Sequence, residues 1–213
     1  MNFGELQEMV GREPFFETGL LLAGDVDPDS VRRQLSRLTA SGRLIQLRRG
    51  LYALAPPYRK VKPHPFLVAN HLVRGSYVSL QSALAYHGLI PEHVPVVTSV
   101  TTLRPGYRET PLGHFEYHHI KLEYFYGYDV VEVEVKQTAL VANPEKALLD
   151  LVHLRPGSDS REYLDGLRLQ NLERLDLEEL GHLAEGSGRP KLRRAAAIVG
   201  TIARQEAEEY ESL

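Results

Sequence analysis

The stretch DPDSVRRQLSRLTASGRLIQLRRGLYAL, residues 27–54, limits the possible folds more than any other part of the chain. Asp27 suits a helix cap, and Pro28 suits the first helical position, where its missing N–H has no partner to lose. Val31, Leu35 and Leu38 then recur at helical spacing until Ser41-Gly42 ends the pattern. After that stop the period changes. Residues 44–47 and 51–54 read as two strands around Arg48-Arg49-Gly50, a tight hairpin. Upstream, Phe3, Leu6, Met9 and Val10 mark one face of a short helix closed by Gly11. Residues 17–23 suggest a second helix with Gly24 as its stop. Three short helices and a hairpin predict a winged helix-turn-helix domain over residues 1–55.

Charge points the same way. The chain of 213 residues has a net charge of −3, yet residues 31–62 hold nine Arg or Lys and no acid, which leaves −12 for the rest. Such a block sets up a local positive field suited to a polyanion, while the acidic remainder repels one. With Val31, Leu35 and Leu38 facing a core, Ser30, Arg33 and Arg37 point away from it, flanked by Arg32 and Ser36. An arginine fork reaches O6 and N7 of guanine together, and serines beside it reach phosphates. Arg48 and Arg49 at the hairpin tip would follow the backbone or enter the minor groove. Arg43, Arg59, Lys60 and Lys62 would neutralise further phosphates, making affinity steeply salt-dependent. A helix whose arginines only keep it solvated would mix both signs of charge. The expected partner is double-stranded DNA.

PPYRKVKPHP, residues 56–65, has four prolines and predicts a stiff spacer at a domain boundary. Residues 66–213 read as a mixed α/β domain with a helical tail, so the fold class expected for the whole is α+β. Helices are expected at 66–73 and at 79–87, the second with Ser79 as N-cap and Gly88 beyond its end. Strands are expected at 94–103, 114–120 and 129–135. A short strand then runs into a helix over residues 140–154, with Asn143 as cap, and three helices follow. The last of these begins with RPKLRR and ends in acids, against the helix dipole. Pairing of Lys191, Arg193 and Arg194 with the acidic stretch 173–185 would offset that.

Several function classes lose support. With no cysteine there is no thiolate metal cage. His114 and His118 share a strand face but stand roughly 13 Å apart, too far to chelate one ion, and His119 points the other way. Glu132 and Glu134 share a face as the carboxylates of a nucleotidyl transferase do, but no Gly-Ser turn lies close enough to hold phosphates. No Gly-rich phosphate loop, HExxH or GxSxG is present. Neither an enzyme nor a metal or cofactor is expected. The amino end lacks a signal-peptide layout and no run of about 18 apolar residues occurs, so a cytoplasmic protein without a membrane span is expected.

The run VRRQLSRLTASGRLIQLRRGLYAL resembles the N-terminal domain of AbiEi-type antitoxins of type IV toxin–antitoxin systems, through Leu35 to Gly42 and then Arg48, Gly50 and Tyr52. SYVSLQSALAYHGLIPE (76–92) and NPEKALLDLVHL (143–154) are similar to two further stretches of that family. The resemblance spans residues 30–155. It implies an antitoxin that represses its own operon through the winged helix, for which two molecules on an operator of inverted repeats would be the natural arrangement. It implies as functional partner a nucleotidyltransferase-like toxin, neutralised without a stable complex. It also marks Glu145, Lys146 and Asp150 as a place where antitoxin function would reside, although a first-turn acid and an i,i+4 ion pair explain them locally. The competing reading is a winged-helix regulator, unrelated to a toxin, that senses a ligand through its C-terminal domain.

Overall fold

The computed structural model describes residues 2–23 and 26–211. Helix α1 (Phe3–Val10) opens on a capping box between Asn2 and Glu5. Where one longer helix was expected, Phe16–Glu17 forms a short strand, β1, before helix α2 (Thr18–Leu21). Strand β1 pairs with the hairpin, Phe16 opposite Tyr52 and Glu17 opposite Leu51, so a distant partner overrides the local helical preference. Gly24, expected to stop that helix, lies outside the described residues. Helix α3 (Pro28–Ala40) follows its cap: the Asp27 carboxylate accepts from the Asp29 and Ser30 amides, a contribution of about 0.5–2 kcal/mol.

Strands β2 (Leu44–Arg48) and β3 (Leu51–Leu54) close the hairpin through Arg49 and Gly50, the latter at φ +80°, which a side chain would strain. Both faces of this hairpin are buried. Leu44 and Leu54 join Leu6, Val10, Phe16, Val31, Leu35 and Leu38 in a small core beneath α1–α3. Leu47, Leu51 and Ala53 belong instead to the large core of the rest of the chain. The hairpin is therefore a shared wall. It meets helix α4 (Pro65–Leu72) through Arg48, whose Nε donates to the His71 carbonyl, and Phe15 stands beside the same His71 with ring centroids 4.3 Å apart.

Residues 56–64 run as turns into α4 and are fastened at their far end. Gln137 accepts from the His64 amide at 2.8 Å and donates to the Lys62 carbonyl at 3.0 Å. Beyond α4 lie β4 (Ser76–Val78), helix α5 (Leu80–Tyr86), β5 (Val96–Thr101), β6 (Gly106–Thr110), β7 (Gly113–His119), β8 (Tyr128–Glu134) and β9 (Gln137–Ala142). They form one mixed six-stranded sheet in the order β6-β7-β5-β4-β9-β8. Strand β4, with three residues, is too brief to show a period, and β6, GYRET, carries no apolar alternation because both its ends and its middle stay out of the core.

Helix α4 covers one face of the sheet, where the Tyr117 hydroxyl donates to the Ala69 carbonyl. The register puts Tyr117 beside Ser99 and Ser99 beside Val78, so the adjacent Tyr77 faces the opposite side. There α5 and helix α6 (Pro144–Leu154) pack, and helices α7 (Arg161–Gly166), α8 (Leu177–Gly186) and α9 (Pro190–Glu211) close over them. The chain is thus α+β. The reversed charges of α9 are met partly as expected: Arg193 lies 3.6 Å from Glu185, but Arg194 pairs with Asp159, and Lys191 donates to the Arg155 carbonyl. No helix among the described residues is long and apolar enough to cross a membrane.

Candidate nucleic-acid interface

Burial of Val31, Leu35 and Leu38 turns the other faces of α3 to solvent. Ser30, Arg32, Arg33, Ser36 and Arg37 are all exposed, and Arg43 follows just past the helix end with its guanidinium 5.0 Å over the Phe3 ring. These six side chains lie on or beside one surface strip. Two acids, Asp27 and Asp29, stand just before the acid-free block that begins at residue 31. In the structure those acids are engaged: Arg32 bonds Asp29 at 2.9 Å and Arg33 lies 3.7 Å from Asp27. Among the described residues, Arg37, Arg43 and Arg49 have no carboxylate partner. The arginines without a carboxylate thus lie at the C-terminal half of α3, just past its end and at the hairpin tip.

Arg48 departs from the expected wing tip. Its Nε donates to the His71 carbonyl at 2.8 Å, one Nη donates to the Arg49 carbonyl at 3.2 Å, and the other reaches Glu17 at 3.2 Å. The same Glu17 oxygen accepts a bond from Arg74, in the turn after α4. The hairpin tip is therefore docked on the body of the protein rather than projecting from it, and of the two tip arginines only Arg49 is exposed. The missed signal lay in residues 44–54, which are apolar on both strand faces; a free wing would keep one face polar.

A second constellation lies on the other side of the sheet. Lys146 and Asp150 form an ion pair whose side chains are 3% and 2% exposed. The Asp150 carboxylate also accepts from the Tyr77 hydroxyl at 2.9 Å and the Ser79 hydroxyl at 2.7 Å. Ser79 sits at the N-cap of α5 as expected, yet its hydroxyl goes to Asp150 and not to the helix. The next residue, Leu80, holds φ +54°, a left-handed backbone rare for a buried leucine. The Lys146 ammonium lies over the Tyr77 and Tyr126 rings at 5.6 and 5.1 Å. Its stem runs so close to Gly127 that a Cβ there would come within 3.0 Å of it. Burial pushes the Asp150 carboxyl up and the Lys146 ammonium down, each opposed by the other's charge. Glu145 turns away from this pair and accepts from the Asp176 amide at 2.8 Å, fixing the start of α8.

All three residues marked by the family resemblance are thus buried and hydrogen-bonded within the fold. The sequence showed only the i,i+4 pair, because Tyr77 and Ser79 lie some seventy positions away. Tyr86, on α5, is exposed. Glu132 and Glu134 lie exposed on β8, at the edge of the sheet. Among the described residues no three His, Asp or Glu side chains come together as metal ligands would.

No protein-family model matches this chain. None of the curated proteins compared with it is similar to it.

Proposed function

We propose that this chain is a sequence-specific DNA-binding repressor. Residues 1–55 act as a winged helix-turn-helix, and the chain works as the autoregulating antitoxin of an AbiEi-type system in the cytoplasm. The observation that carries the DNA-binding part is the exposed face of α3, with Ser30, Arg33, Ser36 and Arg37 on the side opposite its buried stripe. In this reading α3 enters the major groove, Arg37 and Arg33 meet base edges, and Arg43 and Arg49 meet backbone phosphates. Two copies on an inverted repeat would cover a promoter, and occupancy alone would repress it. The mechanism is non-catalytic.

The antitoxin part rests on the resemblance of residues 76–92 and 143–154. A nucleotidyltransferase-like product from the adjacent reading frame would support it, and an unrelated neighbour would count against it. The DNA-binding part is tested by gel shifts with the chain's own upstream DNA. Binding should weaken steeply as salt rises, and salt-insensitive or absent binding would refute it.

A ligand-responsive regulator is the second reading, favoured by one observation. An open groove of about 640 Å³, lined by Leu172, Leu175, Leu177 and Ala203 with Arg204 and Glu206 at hand, has the size and apolar lining of a small-molecule site. A small molecule that raises the melting temperature and releases the operator would favour it.

A further inference from the structure

Glu17 holds an unusual position between the two cores of the molecule. One of its carboxylate oxygens accepts from Arg48 of the hairpin at 3.2 Å and from Arg74 in the turn after α4. Two guanidiniums meet one carboxylate, so the cluster keeps an excess positive charge. Arg48 is held in place independently, through Nε on the His71 carbonyl and Nη1 on the Arg49 carbonyl. Its remaining Nη is thereby fixed toward whatever anion stands where Glu17 now stands. The Arg74 hydrogen bond, helped by the charges of Arg74 and Arg48, holds the Glu17 carboxyl below the usual carboxylate range, so it is ionised at neutral pH.

We propose that Arg48 and Arg74 form a backbone-phosphate site for duplex DNA and that Glu17 is its internal surrogate, occupying the site until a phosphate displaces it. Carboxylate and phosphate oxygens make the same charge-assisted bonds to a guanidinium. Displacement is sterically open, since Glu17 and Arg74 side chains are 42% and 68% exposed. An ion pair in contact with water is weak, and it yields to a duplex phosphate because the neighbouring phosphates and the release of their counterions add to its single charge. The site lies where the hairpin meets the turn after α4, because Arg48 stands on one side of the contact and Arg74 on the other. Glu17 then acts as an autoinhibitory brake on non-specific binding: it lowers the affinity for any duplex without touching a base.

This inference rests on the DNA-binding reading, and the test separates the two. Duplex affinity of the full chain is measured against salt for wild type, Glu17→Gln, Arg74→Ala and the double variant. Glu17→Gln should bind more tightly, with a log K versus log salt slope steeper by about one, for the one net positive charge it unmasks. Arg74→Ala alone, at an exposed side chain, should flatten the wild-type slope by about one, and adding it to Glu17→Gln should return the slope to about the wild-type value. Binding with one common slope for all four proteins would overturn the role of Glu17 while leaving the DNA-binding reading intact. A wild type that binds no duplex at any salt would overturn the DNA-binding reading itself.

Discussion

Two sets of ion pairs in this molecule use the same chemistry and have opposite consequences. On α3, Arg32–Asp29 and Arg33–Asp27 stand in water. On α6, Lys146–Asp150 is sealed between the sheet and the outer helices with Tyr77 and Ser79 completing its hydrogen bonds. The exposed pairs contribute little to stability, because solvent screens them and two long side chains lose freedom in forming them. For that reason their arginines remain available to a stronger anion. The buried pair is available to nothing. Its attraction must offset the cost of removing two charges from water, so each partner is needed only because the other is present. Accessibility decides whether a charge is a tool or a structural commitment.

The largest effect that would test this contrast is at the buried pair. Replacing Lys146 with Met should cost about 3–5 kcal/mol in urea unfolding, because Asp150 would then be a buried carboxylate without its counter-charge. The double replacement Lys146→Met with Asp150→Leu should recover much of that loss, and purely additive losses would show that the two residues act independently. Next in size is the exposed face. Arg37→Ala should weaken operator binding by about 1–3 kcal/mol if this side chain reads a base, with an unchanged melting temperature. An unchanged affinity in both Arg37→Ala and Arg33→Ala would mean that the wrong face of α3 has been assigned.

A pH effect sharpens the same comparison. His153, next to this cluster, is pushed down to about 4, first by burial and then by the charges of Arg189, Lys146, Lys191 and Lys121. The unfolded chain takes up that proton at the ordinary histidine value near 6.5. The stability involved is therefore complete above that value and is lost as pH falls from about 6.5 toward about 4. In His153→Gln, the slope of unfolding free energy against pH should be shallower across this window; equal slopes would remove His153 from the account. The smallest effect belongs to the exposed pair on α3. Arg32→Ala should change unfolding free energy by less than about 1 kcal/mol, and a larger loss would show that solvent does not screen Arg32–Asp29 as argued.

The two regions also differ in how far they were legible in the sequence. The α3 segment was readable because its determinants are local. Asp27 caps within three residues, Pro28 fits the first turn, and Val31, Leu35 and Leu38 define the buried face by period alone. The hairpin was readable as a hairpin for the same reason. Its setting was not, since alternation assigns side chains to two faces without saying what covers each. That the second face belongs to the large core follows from Leu47, Leu51 and Ala53 clustering with residues far along the chain.

The sequence by itself determined the helix, its cap, the hairpin turn and the acid-free basic block, because each depends on neighbours within a few residues. Only the tertiary structure decided that Arg48 bonds the His71 carbonyl and Glu17 and that Ser79 serves Asp150. The same holds for Glu17, which lies between two arginines drawn from separate parts of the chain. The physical reason is common to all three. A charged or hydroxyl side chain bonds the partner that folding brings within about 3 Å, and sequence spacing does not encode that distance once the chain has turned back on itself.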